Sequence, residues 1–351
     1  VNPMLILLIF ALVALFYLLA VVCEDFFVES LDIISHKLRL PSDVAGATFM
    51  AVGSSAPELF TALFAVFRPG SHADIGAGTI VGSAIFNILV IIGASATFRQ
   101  AKLTWQPVIR DLVFYSFSII LVLAVFWDGK VVLAEAALFL GVYAIYIWVV
   151  TQWKKILPYT DQNPIELLEK SVAKNKLAQF SKNLLGLIIP DPQKHPEKYL
   201  ITFGASIVSL AFLSYLLVEA AVGVGQILQI NPTIIALTVL AAGTSIPDLL
   251  SSVVVARQGR GDMAVSNAVG SNIFDILFAL GFPWMIYLLI NGGTIAVGTD
   301  NLLSSVFLLF ATVVAILFVL IVRKWTIGRR AGLVLIALYV AYVVYMASTA
   351  L

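Results

Sequence analysis

A motif that combines two hydroxyls, a proline and a carboxylate occurs twice, each time inside an apolar stretch long enough to cross a bilayer. The motif reads GSSAPE at residues 53–58 and GTSIPD at residues 243–248. A proline removes one helical hydrogen bond, and neighbouring hydroxyls can satisfy the freed carbonyl or bind a ligand. A carboxylate at membrane depth is costly, so Glu58 and Asp248 are predicted to serve a function.

A second pair of matching segments follows the two motifs at nearly the same spacing. Residues 82–87 read GSAIFN and residues 270–275 read GSNIFD. In every part a hydroxyl stands four positions before an amide or a carboxylate, which predicts that both face the same side of one helix. The sequence therefore indicates a duplicated module of two helices.

The composition is that of a membrane protein. Hydrophobic residues make up 61% of the chain and charged residues 12%, and the mean hydropathy is +1.02. A soluble globular domain is far less apolar. The first apolar run, residues 4–23, lacks the basic flank and the cleavage site of a signal peptide, so we expect it to be the first spanning helix.

The apolar stretches predict an all-α polytopic membrane protein with ten spans of roughly 20 or more residues. The polar segment 153–198 separates two sets of five. Because five is odd, the second set must enter the membrane from the opposite side, which predicts two inverted five-helix repeats with a site between broken helices. The predicted domains are a first repeat at 1–152, a cytosolic loop at 153–198 and a second repeat at 199–351. The predicted spans are 4–35, 42–67, 76–98, 108–127, 131–152, 199–225, 232–256, 262–290, 302–322 and 331–350.

The positions of the basic residues predict the orientation. If the N-terminus is outside, all of the 21 lysines and arginines except Arg68 and Lys130 fall in loops on the inner side. Cytosolic loops carry such an excess of basic residues. We therefore expect a multi-pass protein of the plasma membrane with both termini extracellular.

Two further segments each allow two interpretations. Glu24, Asp25, Glu29 and Asp32 in the second half of the first span either line an ion path or mark the point where the helix reaches the cytosol. The central segment, from a capped start at Asn163, is predicted to form an amphipathic helix. It either lies on anionic headgroups or regulates the protein.

The polar groups inside the predicted spans form an all-oxygen set. Glu58, Asp248, Asp275 and Asn87 supply carboxylate and amide oxygens, and no lysine or arginine lies in the core of a predicted span to neutralise the acids. Calcium takes six to eight oxygen ligands, whereas zinc and copper prefer nitrogen or sulfur. The hydroxyls are weaker candidates, because serine and threonine in spans often bond to the preceding turn. The candidate hydroxyls are those of Ser54, Ser55, Thr244, Ser245, Ser83 and Ser271.

The chain shows no nucleophile–base set and no nucleotide-binding loop. It is therefore predicted to be a transporter that exchanges one ion against another, and not an enzyme. We expect no cofactor and no nucleic-acid partner. The expected partners are the transported ions and the lipid bilayer, with a single chain as the transport unit.

These motifs resemble those of the cation/calcium exchanger superfamily and, within it, the potassium-dependent sodium/calcium exchangers. The resemblance covers nearly the whole chain and implies ten helices in inverted repeats, with Glu58 and Asp248 as central calcium ligands. It further rests on the segments VCEDFFV at 22–28, DVAGATFM at 43–50, residues 53–60, 82–89 and 240–249, and GRGDMAV at 259–265.

The same resemblance implies finer roles. The hydroxyls named above would bind sodium or calcium together with the backbone carbonyls of Ala51 and Ala241. The potassium-dependent branch carries an acid at the position of Asp275, which implies potassium co-transport with calcium. Ser251 stands at another position tied to potassium, where animal members usually have threonine.

Alternative functions differ in what they require of these residues. A calcium/proton exchanger of the same superfamily tends to carry glutamate at both central positions, and Asp248 differs from that pattern. A cation channel would use symmetric rings from several subunits and a continuous pore. A signalling or structural membrane protein would not require the repeated buried acids.

Overall fold

The structure is a computed structural model that describes residues 2–38, 51–68, 73–98, 101–157, 176–257, 261–298 and 300–349. These residues form a nearly all-helical protein with two short antiparallel ribbons. In the first half, α1 consists of Pro3–Val22, the π-helical turn Cys23–Val28 and Glu29–Lys37; α2 of Ala51–Ser54 and Ala56–Phe67; α3 of Ala73–Phe86, the π-helical turn Asn87–Ile91 and Ile92–Phe98; α4 of Trp105–Phe126; and α5 of Leu133–Ile156.

The second half begins with a short helix in the central segment. That helix is α6, Lys176–Leu185, and the 3-10 turn Pro196–Lys198 leads from it to α7, Tyr199–Leu228. Next, α8 consists of Pro232–Ile235, the π-helical turn Ala236–Leu240, Ala241–Thr244 and Ile246–Arg257, and α9 consists of Gly261–Phe274, the π-helical turn Asp275–Leu280 and Gly281–Asn291. The last two helices are α10, Asp300–Val322, and α11, Arg329–Thr349.

Within the described residues, eight helices are long and apolar enough to cross a membrane. They are α1, α3, α4, α5, α7, α9, α10 and α11. This result confirms the polytopic membrane class. The apolar pieces Ala56–Phe67 and Pro232–Thr244 are shorter, and they belong to the two helices that carry the proline motifs.

Both proline-motif helices are interrupted just before the proline. Ser55 and Ser245 lie in turns, and Pro57 and Pro247 are each the second residue of the helical piece that follows. Proline is tolerated in a first helical turn but cannot donate the bond that would continue the preceding piece. The spans predicted at 42–67 and 232–256 are therefore broken helices; residues 42–50 lie outside the described part of the chain.

Two ribbons connect loops from the two halves of the chain. β1, Ala101–Lys102, joins α3 to α4 and pairs with β4, Thr326–Ile327, between α10 and α11. β2, Lys130–Val131, joins α4 to α5 and pairs with β3, Ile295–Ala296, between α9 and α10. The outer helices of both halves are thus joined at two places.

The helices differ in how much protein surrounds them. In the most apolar 18-residue stretch of α3, 94% of the residues are buried, whereas the corresponding share in α1 is 33%. α3 therefore lies in the protein interior, whereas most of α1 is not covered by other helices. α1 and α7 pack together in an apolar cluster that includes Leu19, Phe26 and Leu217, distinct from the larger cluster around α3, α4 and α9.

Arg110 lies in a different place from the one predicted. The sequence counts it as a loop charge on the inner side, but the structure places it in the second turn of α4, where it is buried. Its Nε donates to Asp111 Oδ1 at 2.7 Å, and the hydroxyl of Tyr146 in α5 donates to the same oxygen at 3.2 Å. A buried arginine is stable in this position because a carboxylate neutralises it.

The predicted amphipathic helix is described only in its last part. Residues 158–175, which include its predicted start at Asn163, lie outside the described residues. In α6, Phe180 and Leu184 are exposed while Ser181 and Lys182 are buried, and Lys182 Nζ lies 3.3 Å from Asp191 Oδ1. Ser181 and Lys182 therefore face the protein, while Gln179 and Asn183 are exposed like Phe180 and Leu184.

Candidate cation site

Three carboxylates lie together in the interior of the protein. Glu58 of α2, Asp248 of α8 and Asp275 of α9 are each 0% exposed, and each of them lies within electrostatic range of the other two. Glu58 and Asp248 occupy the first turn of the helical piece that follows the break. The positive end of a helix dipole favours a negative charge there.

The carboxylate of Glu58 is contacted by hydroxyls from other helices. Ser83 Oγ of α3 lies 3.4 Å from Glu58 Oε1, and Ser245 Oγ of α8 lies 3.2 Å from the same oxygen. The two hydroxyls lie 2.7 Å from one another. Two hydroxyls from opposite halves of the chain therefore meet at one carboxylate oxygen.

The other two carboxylates are approached in a similar way. Ser54 of α2 and Ser271 of α9 face Asp248, and Ser55 of α2 faces Asp275. The sequence predicts that Ser54 shares a helix face with Glu58, four positions later. The break at Ser55 ends that helix, so Ser54 instead faces the acid of the other half.

Backbone distortion coincides with the polar residues of α3 and α9. A π-helical turn begins at Asn87 and another at Asp275, and a third, Ala236–Leu240, precedes the break in α8. Single π-helical turns inside α-helices are rare and are frequent at functional sites. Matching segments of the sequence thus share the same local geometry.

Asn272 was not predicted, yet it fixes the orientation of Asn87. Its Nδ2 donates to the Ala84 carbonyl at 3.2 Å and to the Tyr115 hydroxyl at 2.9 Å. Because a carbonyl only accepts, Oδ1 of Asn272 points the other way and accepts from Asn87 Nδ2 at 2.9 Å. Asn87 also donates to Ser271 Oγ at 3.4 Å. The Oδ1 atom of Asn87 takes part in neither of these two bonds.

The repeat in the sequence does not single out Asn272. It lies inside the repeated segment GSNIFD, but its counterpart in the first copy is Ala84, so a search for matching polar positions passes over it. Tyr115 of α4 is fully buried and lies outside both motifs. No repeat pattern points to it.

Three further predicted residues are Thr244, Ala51 and Ser251. Thr244 faces Glu58, the acid of the other half, and its Oγ1 also donates to the carbonyls of Leu240 at 3.0 Å and Ala241 at 3.4 Å, as hydroxyls in spans often do. Ala51 is the first residue of the helical piece Ala51–Ser54. Ser251 lies in the last piece of α8, but its side chain is outside the described part.

Several buried oxygen atoms accept no hydrogen bond from any described residue. They are Glu58 Oε2, Asn87 Oδ1 and both carboxylate oxygens of Asp275. Burying such groups without a partner costs free energy. A cation bound among these oxygens would offset that cost.

The geometry also limits how such a cation could be held. Within the described residues, no three His, Cys, Asp or Glu side chains converge closely enough to hold one metal ion by themselves. Hydroxyl, amide and carbonyl oxygens would have to complete the coordination. Such a mixed, all-oxygen set suits the hard cations sodium, potassium and calcium.

The acids of α1 occupy two kinds of position. Glu24 and Asp25 are half-buried in the π-helical turn of α1. Glu29 Oε1 accepts a hydrogen bond of 2.7 Å from Gln193 Nε2, which follows α6 in the central segment. This contact favours the predicted interface position for Glu29, and the side chain of Asp32 lies outside the description.

Comparison with known proteins assigns the chain to a family. The sodium/calcium exchanger protein family matches residues 8–152 and 198–347. The chain belongs to this family. Sodium/potassium/calcium exchanger 5 of Homo sapiens is 34% identical over 93% of this chain and 80% of its own length. Sodium/potassium/calcium exchanger 2 of Gallus gallus is 30% identical over 95% of this chain and 76% of its own length. These matches confirm the family that the motifs indicate.

Two solved structures share the fold. The H+/Ca2+ exchanger CAX superposes with a TM-score of 0.72 at 13% identity, over 98% of this chain and 82% of that chain. The sodium-calcium exchanger NCX_Mj, soaked with sodium and strontium, superposes with a TM-score of 0.60 at 22% identity, over 97% of this chain and 98% of that chain. At these identities the likeness concerns the fold alone.

Proposed function

We propose that this family member is a secondary antiporter that exchanges sodium for calcium, with potassium co-transported with calcium. The observation that carries the proposal is the cluster of Glu58, Asp248 and Asp275, each fully buried and approached by hydroxyls of other helices. Intramembrane acids mark ion pathways. The names of the sodium/potassium/calcium exchangers that match most of the chain support the choice of ions.

Charge supports a mixed load of one calcium and one potassium ion. Together these ions carry three positive charges, and the three carboxylates carry three negative charges when all are ionised. Opposite charges that balance are favoured where the dielectric constant is low. The other proposed ligands are Asn87, Ser54, Ser55, Thr244, Ser245, Ser83, Ser271, Ser251 and the backbone carbonyls of Ala51 and Ala241.

The proposed scaffold consists of ten spans in two inverted repeats, α1–α5 and α7–α11. The ribbons support this arrangement, because an even number of spans then separates the two loops that each ribbon joins. Each ribbon thus joins loops on one side of the membrane. A two-fold rotation that exchanges the repeats also exchanges the β1–β4 and β2–β3 ribbons. We assign the repeats to 1–152 and 199–351 and the cytosolic loop to 153–198.

The proposed location is the plasma membrane with both termini extracellular, on the strength of the positive-inside pattern. Alternating access would come from sliding of α1 and α7 against the remaining helices. α1 and α7 pack against each other and form most of one apolar cluster, which also reaches α2 and α8. Inverted repeats supply two related packings of similar energy, which such a movement needs.

Calcium uptake into proteoliposomes tests the proposal. An outward sodium gradient should drive uptake, external potassium should increase it, and a proton gradient of equal size should not replace sodium. Uptake driven by protons alone would instead favour the calcium/proton exchanger. Rapid calcium flux without any counter-ion gradient would favour a channel.

A further inference from the structure

An apolar groove lies between α4 and α10. Its volume is about 400 Å³, and its walls include Ile109, Val113 and Ile120 of α4 and Leu317 of α10. Ser116 also lines it, but its hydroxyl donates to the Leu112 carbonyl of its own helix at 2.7 Å. The wall is therefore mainly apolar, with the indole of Trp325 at one end.

The groove has the length of one membrane leaflet. Ile109 and Ile120 mark its ends on α4, and at 1.5 Å per residue they lie about 16 Å apart. The apolar core of a bilayer is about 30 Å thick, so the groove spans about half of it. It begins at the end that holds the β1–β4 ribbon, where Trp325 lines it.

The entrance of the groove is strongly basic. Arg323, Lys324, Arg329 and Arg330 are exposed around β4, and the sequence from residue 301 to the end contains no aspartate or glutamate. None of the four forms an ion pair with a described carboxylate. This end of the groove therefore attracts anions, and on the positive-inside pattern it faces the cytosol.

The backbone at the entrance is strained. Lys324 and Trp325 both have left-handed backbone angles, with φ of 51° and 61°. Residues other than glycine rarely adopt this region, and such strain persists where the surroundings hold it. Here Trp325 N donates to the Leu320 carbonyl at 2.7 Å and Leu103 N donates to the Trp325 carbonyl at 2.8 Å. The turn thus holds the indole at the groove and Lys324 beside its entrance.

We propose that this groove binds an anionic phospholipid of the inner leaflet, with one acyl chain between α4 and α10 and the phosphate at Arg323 and Lys324. Three independent features fit one lipid molecule: an apolar wall, the length of one leaflet and a basic entrance beside an interfacial tryptophan. The binding does not depend on the proposed exchange activity.

Native mass spectrometry of the purified protein tests the proposal with two added lipids that have the same acyl chains, phosphatidylglycerol and phosphatidylcholine. The wild type should retain one phosphatidylglycerol in preference to phosphatidylcholine. Val113→Trp, which fills the groove, and Lys324→Gln, which removes an entrance charge, should each lower retention of phosphatidylglycerol about tenfold.

Each variant has a matched control elsewhere on the surface. Val314→Trp changes an exposed valine of α10 outside the groove wall, and Lys130→Gln removes an exposed lysine from the other ribbon. Both should retain phosphatidylglycerol like the wild type. Equal retention of the two lipids by the wild type would overturn the proposal, and so would equal losses in a variant and its control. If Val113→Trp does not fold, the lysine pair decides.

Discussion

The helix pairs α2–α3 and α8–α9 have the same backbone features but different polar groups. Both pairs contain a break before a proline and a π-helical turn. Yet the turn begins with the neutral Asn87 in one pair and with Asp275 in the other, and Ala84 in one matches Asn272 in the other. The two pairs thus share the backbone framework of the proposed ion site, whereas their unequal side chains set where charge lies within it.

The largest expected effect comes from the acids that the two pairs have in common. Glu58→Gln and Asp248→Asn should each reduce calcium uptake by more than about 100-fold, because each leaves the ion under-neutralised in a buried site. Uptake into proteoliposomes measures this. Thr79→Val is the control, since its hydroxyl bonds to Ile75 in its own helix and uptake should stay normal. Uptake near the wild-type rate in either acid variant would contradict equal roles for the two acids.

A second test compares two glycines at matching positions. A methyl group at Gly82 would collide with the Leu237 carbonyl and with Ala241 of α8, whereas one at Gly270 meets nothing within 4 Å. Gly82→Ala should therefore destabilise the protein by about 1–3 kcal/mol. Gly270→Ala should be neutral or stabilising by up to about 1 kcal/mol. Thermal unfolding in detergent measures both, and equal shifts would show that the packing of the two pairs does not differ.

The third test concerns the charge that only one pair carries. The Asp275→Asn variant should still exchange sodium for calcium. Its stimulation by potassium should be lost, so that the increase in calcium uptake at saturating potassium falls about tenfold. A wild type indifferent to potassium would refute this role while leaving the exchange of sodium for calcium in place.

Moving that charge to the other pair sharpens the same test. In Asn87→Asp combined with Asp275→Asn, the new carboxylate would face Asn272 Oδ1, which is also an acceptor. Asn272 cannot turn around without losing its bond to the Ala84 carbonyl. The double variant should therefore not regain its potassium response. Restored potassium dependence would show that the position of the charge does not matter.

The smallest effect is expected where the first helix of each pair ends. Arg68, after α2, donates to both carboxylate oxygens of Glu219 of α7 at 2.7 and 3.0 Å. Arg257, the last residue of α8, instead lies over the Phe98 ring at 4.4 Å. Arg68→Gln should change the exchange rate only two- to threefold, since partly exposed ion pairs contribute about 1 kcal/mol or less.

A permanent link at this point should have a much larger effect than losing the ion pair. A bis-maleimide that joins Arg68→Cys to Glu219→Cys would tether α7 to α2. It should stop exchange but leave equilibrium calcium binding intact, whereas variants with only one of the two introduced cysteines beside the buried Cys23 should still exchange after treatment. Full exchange in the tethered protein would show that α7 does not slide.

The sequence predicted the membrane class and the family, and it singled out the acids that the fold brings together. It did so because a buried charge in an apolar stretch is conspicuous and because duplication made the pattern visible twice. It failed where the two copies differ or where a distant helix contributes, as with Asn272 and Tyr115. Pairing of Ser54 with Glu58 also could not be judged from spacing, because a helix break cancels the periodicity on which the argument rests.

The ribbon between β1 and β4 has a consequence for the order in which the protein is made. Ala101 leaves the ribosome well before its partner Ile327, because the two are separated by the helices α4 to α10. Until then the edge of β1 stays unpaired, and α4 and α5 lack the helices of the second half as neighbours. Completion of the β1–β4 ribbon must therefore be a late step of assembly, and truncation before residue 326 should leave the first half inserted but loosely packed.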